Sequence, residues 1–334
     1  MKRFLPDSFT LMLVATVALA SVLPVSGVMA GYFGTATNLA IALLFFLHGA
    51  RLSRDVVVAG LLHWRLHLTI VLTTFAIFPL LGLAIGFVPA SILPPELYMG
   101  ILFLTVLPST VQSSIAFTSM AGGNVPAAIC AASGSNLFGM FLTPLLASLL
   151  LTTTGEAGFS ADALEKIALQ LLLPFVAGQV LEPWIGRWVR SHKKILTPVD
   201  RGSILMVVYA AFSEAVIEGL WHTYSIADLG VVLLINLALL AVVLCLTMFG
   251  SRLLGFSKAD EIAITFCGSK KSLASGVPMA SAIFAGQNIG AIVLPLMLFH
   301  QVQLMACAVI AARYARAAAA KDSAKAPGGA EAAA

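Results

Sequence analysis

Charge is what this sequence has least of. Aspartate and glutamate supply 15 of its 334 residues and lysine and arginine 19, so 10% of the chain is charged while 60% is hydrophobic. A soluble domain is about 25% charged and about 45–50% apolar. A chain this poor in ionic side chains cannot cover a water-facing surface. The usual enzyme motifs are missing as well: there is no HExxH, no GxSxG and no GxxxxGK[ST]. An enzyme is therefore not expected, nor any cofactor. The four cysteines, Cys130, Cys245, Cys267 and Cys307, form no CxxC pair, and each falls in an apolar run. They read as small buried residues without disulfides, Cys267 being the one with a candidate role. Alternation with period two is also absent. Runs such as 11–20 and 231–248 are continuously apolar, which argues against a membrane β-barrel and leaves helices as the way to pair the backbone in lipid.

What is present is a series of long apolar stretches. At about 20 residues per crossing, spans are predicted near 8–29, 33–50, 66–87, 94–120 (interrupted), 125–151, 163–182, 202–220, 227–250, 261–284 (interrupted) and 287–312. The start, Met1-Lys2-Arg3 with Ala18-Leu19-Ala20 further on, has the outline of a signal peptide, but the apolar run continues to Ala30 and reads as a span. Basic residues test this topology, because cytoplasmic loops collect lysine and arginine. With ten spans and a cytoplasmic N-terminus, sixteen of the 19 fall on one side, in the groups Lys2–Arg3, Arg51–Arg65, Arg187–Arg201, Arg252–Lys258 and Arg313–Lys325. The outer loops hold only Lys166, beside Glu156, Asp162 and Glu165. This distribution accounts for the net charge of +4 without a nucleic-acid partner, which is not expected. Both termini are expected in the cytoplasm and the chain in the plasma (inner) membrane. Segments 51–65 and 183–201 mix basic residues with Trp64, Trp184 and Trp188 and read as interfacial. Residues 1–313 form one transmembrane domain, and the alanine-rich stretch 314–334 is expected to be a disordered tail.

The domain divides into two repeats, about 8–151 and 163–313, of five spans each. The fourth span of each is interrupted. Leu97–Leu107 is followed by Pro108-Ser109-Thr110-Val111-Gln112-Ser113-Ser114, and Ile262–Cys267 by Gly268-Ser269-Lys270-Lys271-Ser272. Each break is followed by a similar joint, Gly122-Gly123-Asn124 and Gly286-Gln287-Asn288. An odd number of spans per repeat inverts one half against the other, and paired interrupted helices in inverted repeats point to a transporter binding site. A broken helix exposes backbone groups at membrane depth, where they persist only against protein or around a cavity.

The candidate residues follow from these breaks. A charged lysine at bilayer depth costs about 2.5–3.5 kcal/mol on insertion scales, so Lys270 and Lys271 need partners, a wet cavity or loss of charge. Lys271 reads either as a brace across the break or as a group that binds substrate or proton. Adjacent residues on a helix point about 100° apart, so one of the two is expected to face the site. Cys267, Ser269 and Ser272 flank them. At the first break Gln112, Ser113 and Ser114 offer hydroxyls and an amide, either to a ligand or to the freed backbone. Asn136 lies in the fifth span among small residues. Glu214 and Glu218 stand i, i+4 on the seventh span, with Glu214 the deeper and a candidate proton carrier or lysine partner. His300, near Gln301 and Gln303, is a candidate titrating group.

Several stretches carry a resemblance: Thr74-Phe75-Ala76-Ile77-Phe78-Pro79-Leu80, Pro108 to Pro144 with Gly122-Gly123-Asn124, Leu173-Pro174-Phe175, Phe266-Cys267-Gly268-Ser269-Lys270-Lys271-Ser272-Leu273 with Gly276-Val277-Pro278-Met279, and His300-Gln301. The chain resembles the bile acid:sodium symporter superfamily, specifically its symporter-like branch of the bile acid transporter 7 type, over roughly 8–313. The resemblance implies ten spans, a panel and a core subdomain, crossed unwound helices 4 and 9, and carriage of organic anions with sodium. It places the sodium-coupled relatives' third-span glutamine at Thr74, their fifth-span hydroxyls at Ala128 and Ala132, their glutamate at Cys267 and the glutamine four residues later at Lys271. Sodium prefers oxygen ligands, so these departures leave at most a weak sodium site at Ser113, Ser114 and Thr74. The expected function is secondary transport of a small organic anion by alternating access through the lipid bilayer, with a proton or Na⁺ as coupling ion and Lys271 and Glu214 coupling proton movement. A non-transporting membrane sensor or regulator on the same fold is the alternative.

Overall fold

The computed structural model describes residues 8–51, 63–153, 168–217 and 219–325. Lys2, Arg3, Arg54, Glu156, Asp162, Glu165, Lys166, Glu218 and the stretch from 326 onwards lie outside the described residues. Every regular element among the described residues is helical. They are α1 (Ser8–Val22), α2 (Gly27–Arg51), α3 (Trp64–Ile85), α4 (Pro95–Val106), α5 (Gln112–Met120), α6 (Val125–Thr153), α7 (Leu173–Ser191), α8 (Lys193–Ile217), the short α9 (Leu220–Thr223), α10 (Ile226–Leu253), α11 (Lys258–Gly268), α12 (Leu273–Ile283) and α13 (Ile289–Lys325). A π-helical turn, Ala168–Leu172, leads into α7. Among the described residues six helices, α2, α3, α6, α8, α10 and α13, are long and apolar enough to cross a membrane. The molecule is apolar outside and polar within: Phe87, Ile226 and Leu253 are 91%, 90% and 89% exposed, whereas Ser109, Ser114, Lys270, Lys271 and Gln303 are fully buried. This inversion of the soluble pattern suits lipid as the surrounding solvent, and the chain is an integral membrane protein.

Four boundaries differ from expectation. The expected spans ended at 182 and began at 202, but α7 runs to Ser191 and α8 begins at Lys193, so the helices take in most of the stretch read as interfacial. The first turn lies at 23–26, not after 29, because Pro24 cannot continue α1 and Gly27 takes φ +61 at the start of α2. The last helix does not stop near 313 but runs to Lys325, where a disordered tail was expected. Its run of alanines at 315 and 317–320 has the highest helix propensity available and carries the helix on.

The helices pack in two groups. In one, α2 lies along α7, α1 along α8, and α2 against α8. Glycines let α2 and α7 touch backbone to backbone: a Cβ on Gly49 would press on Phe175 and Gln179, and one on Gly178 on Phe46 and Ala50. Arg51 and Asp200 join α2 to α8 with a 2.5 Å ion pair. The second group contains α3 to α6 and α10 to α13, with the short helices α4, α5, α11 and α12 inside it. The joint before α6 and the joint before α13 share one geometry. Gly122 and Gly286 have φ +71 and +85, and two residues later Asn124 Oδ1 and Asn288 Oδ1 each accept the N–H of the third residue on, Ala127 and Ala291, both at 3.1 Å.

Candidate functional site

Proline shapes both ends of the site. Pro108 has no N–H and ends α4, leaving Leu107 extended at φ −72 and ψ 153. Pro79 does something subtler in α3. Around it the helix takes a π turn, Thr73–Ile77, in which the N–H of Phe78 bonds to Thr73 O. Thr74 O would then look to residue 79, which is proline, so this carbonyl has no backbone donor inside the membrane.

Five successive carbonyls around the first break are each met from elsewhere. Thr105 O and Leu107 O accept from Lys271 Nζ at 2.7 and 2.8 Å, and Val106 O from Thr143 Oγ1 at 2.8 Å. Pro108 O accepts the Ser272 N–H at 2.9 Å, and Ser109 O the Asn136 Nδ2 amide at 2.8 Å. The Ser109 N–H donates to Ser135 Oγ at 3.0 Å. Asn136 Oδ1 in turn accepts from Ser275 Oγ at 2.9 Å. The two breaks therefore meet directly, backbone to backbone, with Asn136 joining both.

Lys271 is the centre of this meeting. Its third N–H reaches the freed Thr74 O at 2.8 Å, and the ammonium sits 4.1 Å from the centre of the Phe78 ring. All three donors of the side chain are used. Its own backbone is held by Gln303, whose Oε1 accepts the Lys271 N–H and whose Nε2 donates to Lys271 O, both at 2.8 Å. Gln303 Nε2 also lies 2.9 Å from His300 Nδ1.

Lys270 leaves the same break on another side. Its Nζ lies 4.0 Å from the centre of the Phe117 ring and 5.7 Å from that of Phe266, is fully buried, and has no hydrogen-bond partner among the described residues. The Thr74 and Thr265 hydroxyls are likewise buried without a partner.

The remaining candidates divide. Ser113 and Ser114 share the Thr110 hydroxyl at 2.8 and 2.9 Å, and Ser114 Oγ donates to Phe266 O at 2.9 Å, so this cluster ties the first break to α11. Ser269 Oγ donates to Thr265 O, and Ser272 Oγ caps α12 by accepting the Ser275 N–H. Cys267 Sγ is 3.8 Å from Ala128 O. Gln112 is exposed at the start of α5, and Glu214 is exposed on α8. Sequence reasoning gave no role to Gln303, Thr143, Phe78 or Phe117. Gln303 had a signal, a buried amide in an apolar run, but the carbonyls of Thr105 and Leu107 had none, since backbone atoms leave no mark in a sequence.

The family model of the SBF-like CPA transporter family matches residues 7–316. The uncharacterized protein PA2026 of Pseudomonas aeruginosa is 61% identical over 94% of this chain and 94% of its own length. An Escherichia coli protein described as "Putative symporter YfeH" is 53% identical over 93% of each chain. The sodium/bile acid cotransporter 7 of Mus musculus is 27% identical, again over 93% of each. The last name raises the question of a sodium ion. The oxygens of Thr74, Thr105 and Leu107 point at one place, but the Lys271 ammonium takes all three. Ala128, Ala132 and Cys267, which pack together in a buried apolar cluster, offer no oxygen side chain. These residues do not fit sodium.

Proposed function

The chain belongs to the SBF-like CPA transporter family, and from that premise we propose a secondary transporter of a small organic anion that works by alternating access without sodium. The observation that carries it is the meeting of two broken helices inside the bundle, each break satisfied by the other or by a neighbouring helix. Such breaks at membrane depth are the usual seat of a transporter's site. In this reading ten spans form two inverted repeats, with α4–α5 and α11–α12 as the crossed fourth and ninth. The matching Gly–Asn joints support the repeat. So does the packing, since exchanging the halves turns α2 on α7 into α8 on α1, α4 on α13 into α11 on α6, and α3 on α4 into α10 on α11. The group of α1, α2, α7 and α8 is the panel, and the core group rocks against it.

The cargo is anionic because α5 and α12 begin at the breaks and turn their N-terminal dipole ends toward them. Lys271 is the brace of the crossing, a tethered cation where relatives named for sodium would bind one. The Ser113–Ser114 hydroxyls link the breaks and His300 steadies Gln303. The membrane is the inner (plasma) membrane with both termini cytoplasmic, as the basic loops favour. Purified protein in liposomes is expected to exchange labelled organic anions in counterflow, and to accumulate them on an imposed proton gradient equally well with sodium or with choline outside. Uptake that stops without sodium would refute this reading.

A further inference from the structure

We propose that Lys270 is the residue that takes up and gives up the transported proton, an inference that rests on the transporter reading and names its coupling site. The side chain reaches a pocket shared by three helices and finds two phenyl faces. Phenyl faces attract a cation but accept no ordinary hydrogen bond. An ammonium brings three donors, and Lys271 shows what this fold supplies when it means to hold one permanently: three carbonyls within 2.8 Å. Lys270 has been given none.

The groups around it do not compensate. From α11 it faces Phe266 and the Cys267 thiol, from α13 the Cys307 thiol, and from α5 Phe117. Among the described residues no carboxylate pairs with it, and α5 contains no charged residue. The acid on α11 nearest in sequence along this side is Glu261. Its Oε1 already accepts from Arg252 at 2.9 Å, Lys258 at 2.7 Å and Tyr314 at 2.9 Å. Tyr314 also packs its ring against Phe266, 6.4 Å between centres, so aromatic rings stand between Lys270 and that cluster. Lys271 points away into its own carbonyls.

A buried amine with no acceptors suits one task that a braced ammonium cannot perform. When the core moves and the cage opens to water, Nζ forms an N–H bond with a proton from that side. The cargo's anionic group then supplies the missing acceptor and the two travel as a neutral pair. On the other side the N–H bond breaks, the proton goes to water and the anion leaves. Lys271 cannot alternate in this way, because losing its proton would strand at least one of three buried carbonyls.

The test needs no known cargo. Proteoliposomes on a solid-supported membrane receive a pH jump in a buffer without organic solute, and the displacement current is recorded, since a proton binding within the membrane moves charge. Wild-type protein is expected to give a transient current, and Lys270→Met and Lys270→Gln to lose it while eluting as folded protein. Lys270→Arg, whose guanidinium keeps its charge throughout, is expected to lose it too and serves if the first two variants aggregate. A wild-type protein with no transient, or a folded variant that keeps it at full size, overturns the proposal. A transient lost in the variants, in a protein that exchanges no anion in counterflow, supports the proton site and sinks the carrier reading instead.

Discussion

Two adjacent lysines leave one break in different directions and end in opposite surroundings. Lys271 finishes among three backbone oxygens drawn from α3 and from the first break, whereas Lys270 finishes beside two phenyl rings with no hydrogen-bond partner among the described residues. Both are completely buried. Burial by itself therefore does not say what a charged group does. A fully bonded ammonium is part of the frame, because removing it leaves its partners unpaired. An unbonded one costs stability in every conformation that lacks acceptors, which makes it a candidate for a functional role.

The sharpest way to break this contrast is Lys271→Met. It keeps much of the bulk and removes all three donors, leaving three buried carbonyls unpaired, and should lower stability by about 3–5 kcal/mol, at about 1–3 kcal/mol for each stranded group. The measure is the thermal unfolding midpoint in detergent, and a variant that melts with the wild type would dissolve the distinction. Asn136→Ala strips the first break of a donor to Ser109 O and the second of the acceptor for Ser275 Oγ. We expect a loss of about 2 kcal/mol, seen as faster hydrogen exchange at both breaks. Lys270→Met should move the other way. A thioether packs against the two rings without an unmet charge, so the midpoint should rise by an amount corresponding to about 1–2 kcal/mol. A fall as steep as that of Lys271→Met would make the two lysines alike. The smallest effect is expected from Ser114→Ala, which loses its bonds to Phe266 O and to the Thr110 hydroxyl, the latter keeping Ser113, and should cost about 1 kcal/mol in chemical unfolding.

Much of the fold was legible because membrane helices announce themselves locally. Long apolar runs, the prolines at 79 and 108 and the Gly–Asn joints act within a few residues, and the breaks fall at 107–111 and 269–272, close to where they were expected. The errors were local too: Pro24 moved a turn, alanines lengthened the last helix, and α7 and α8 took in most of the stretch 183–201. The site was less legible. Lys271, Asn136 and the Ser113–Ser114 pair do come together at the breaks. Glu214 was chosen for its depth in a predicted span, yet lies exposed on α8, because depth along a helix does not say which side the residue faces. The aromatic cage of Lys270 was missed, since Phe117 and Phe266 look like two more apolar residues in apolar segments.

The sequence alone determined that this chain lives in lipid, that it is helical, and that two of its helices must break, since composition and proline act through solvent and through the backbone's own geometry. It could not determine which lysine is held and which is left free. The oxygens around Lys271 lie 164, 166 and 197 residues away along the chain, and they are backbone atoms that any residue would supply. Only packing, which brings a π turn and two breaks to one point, decided that.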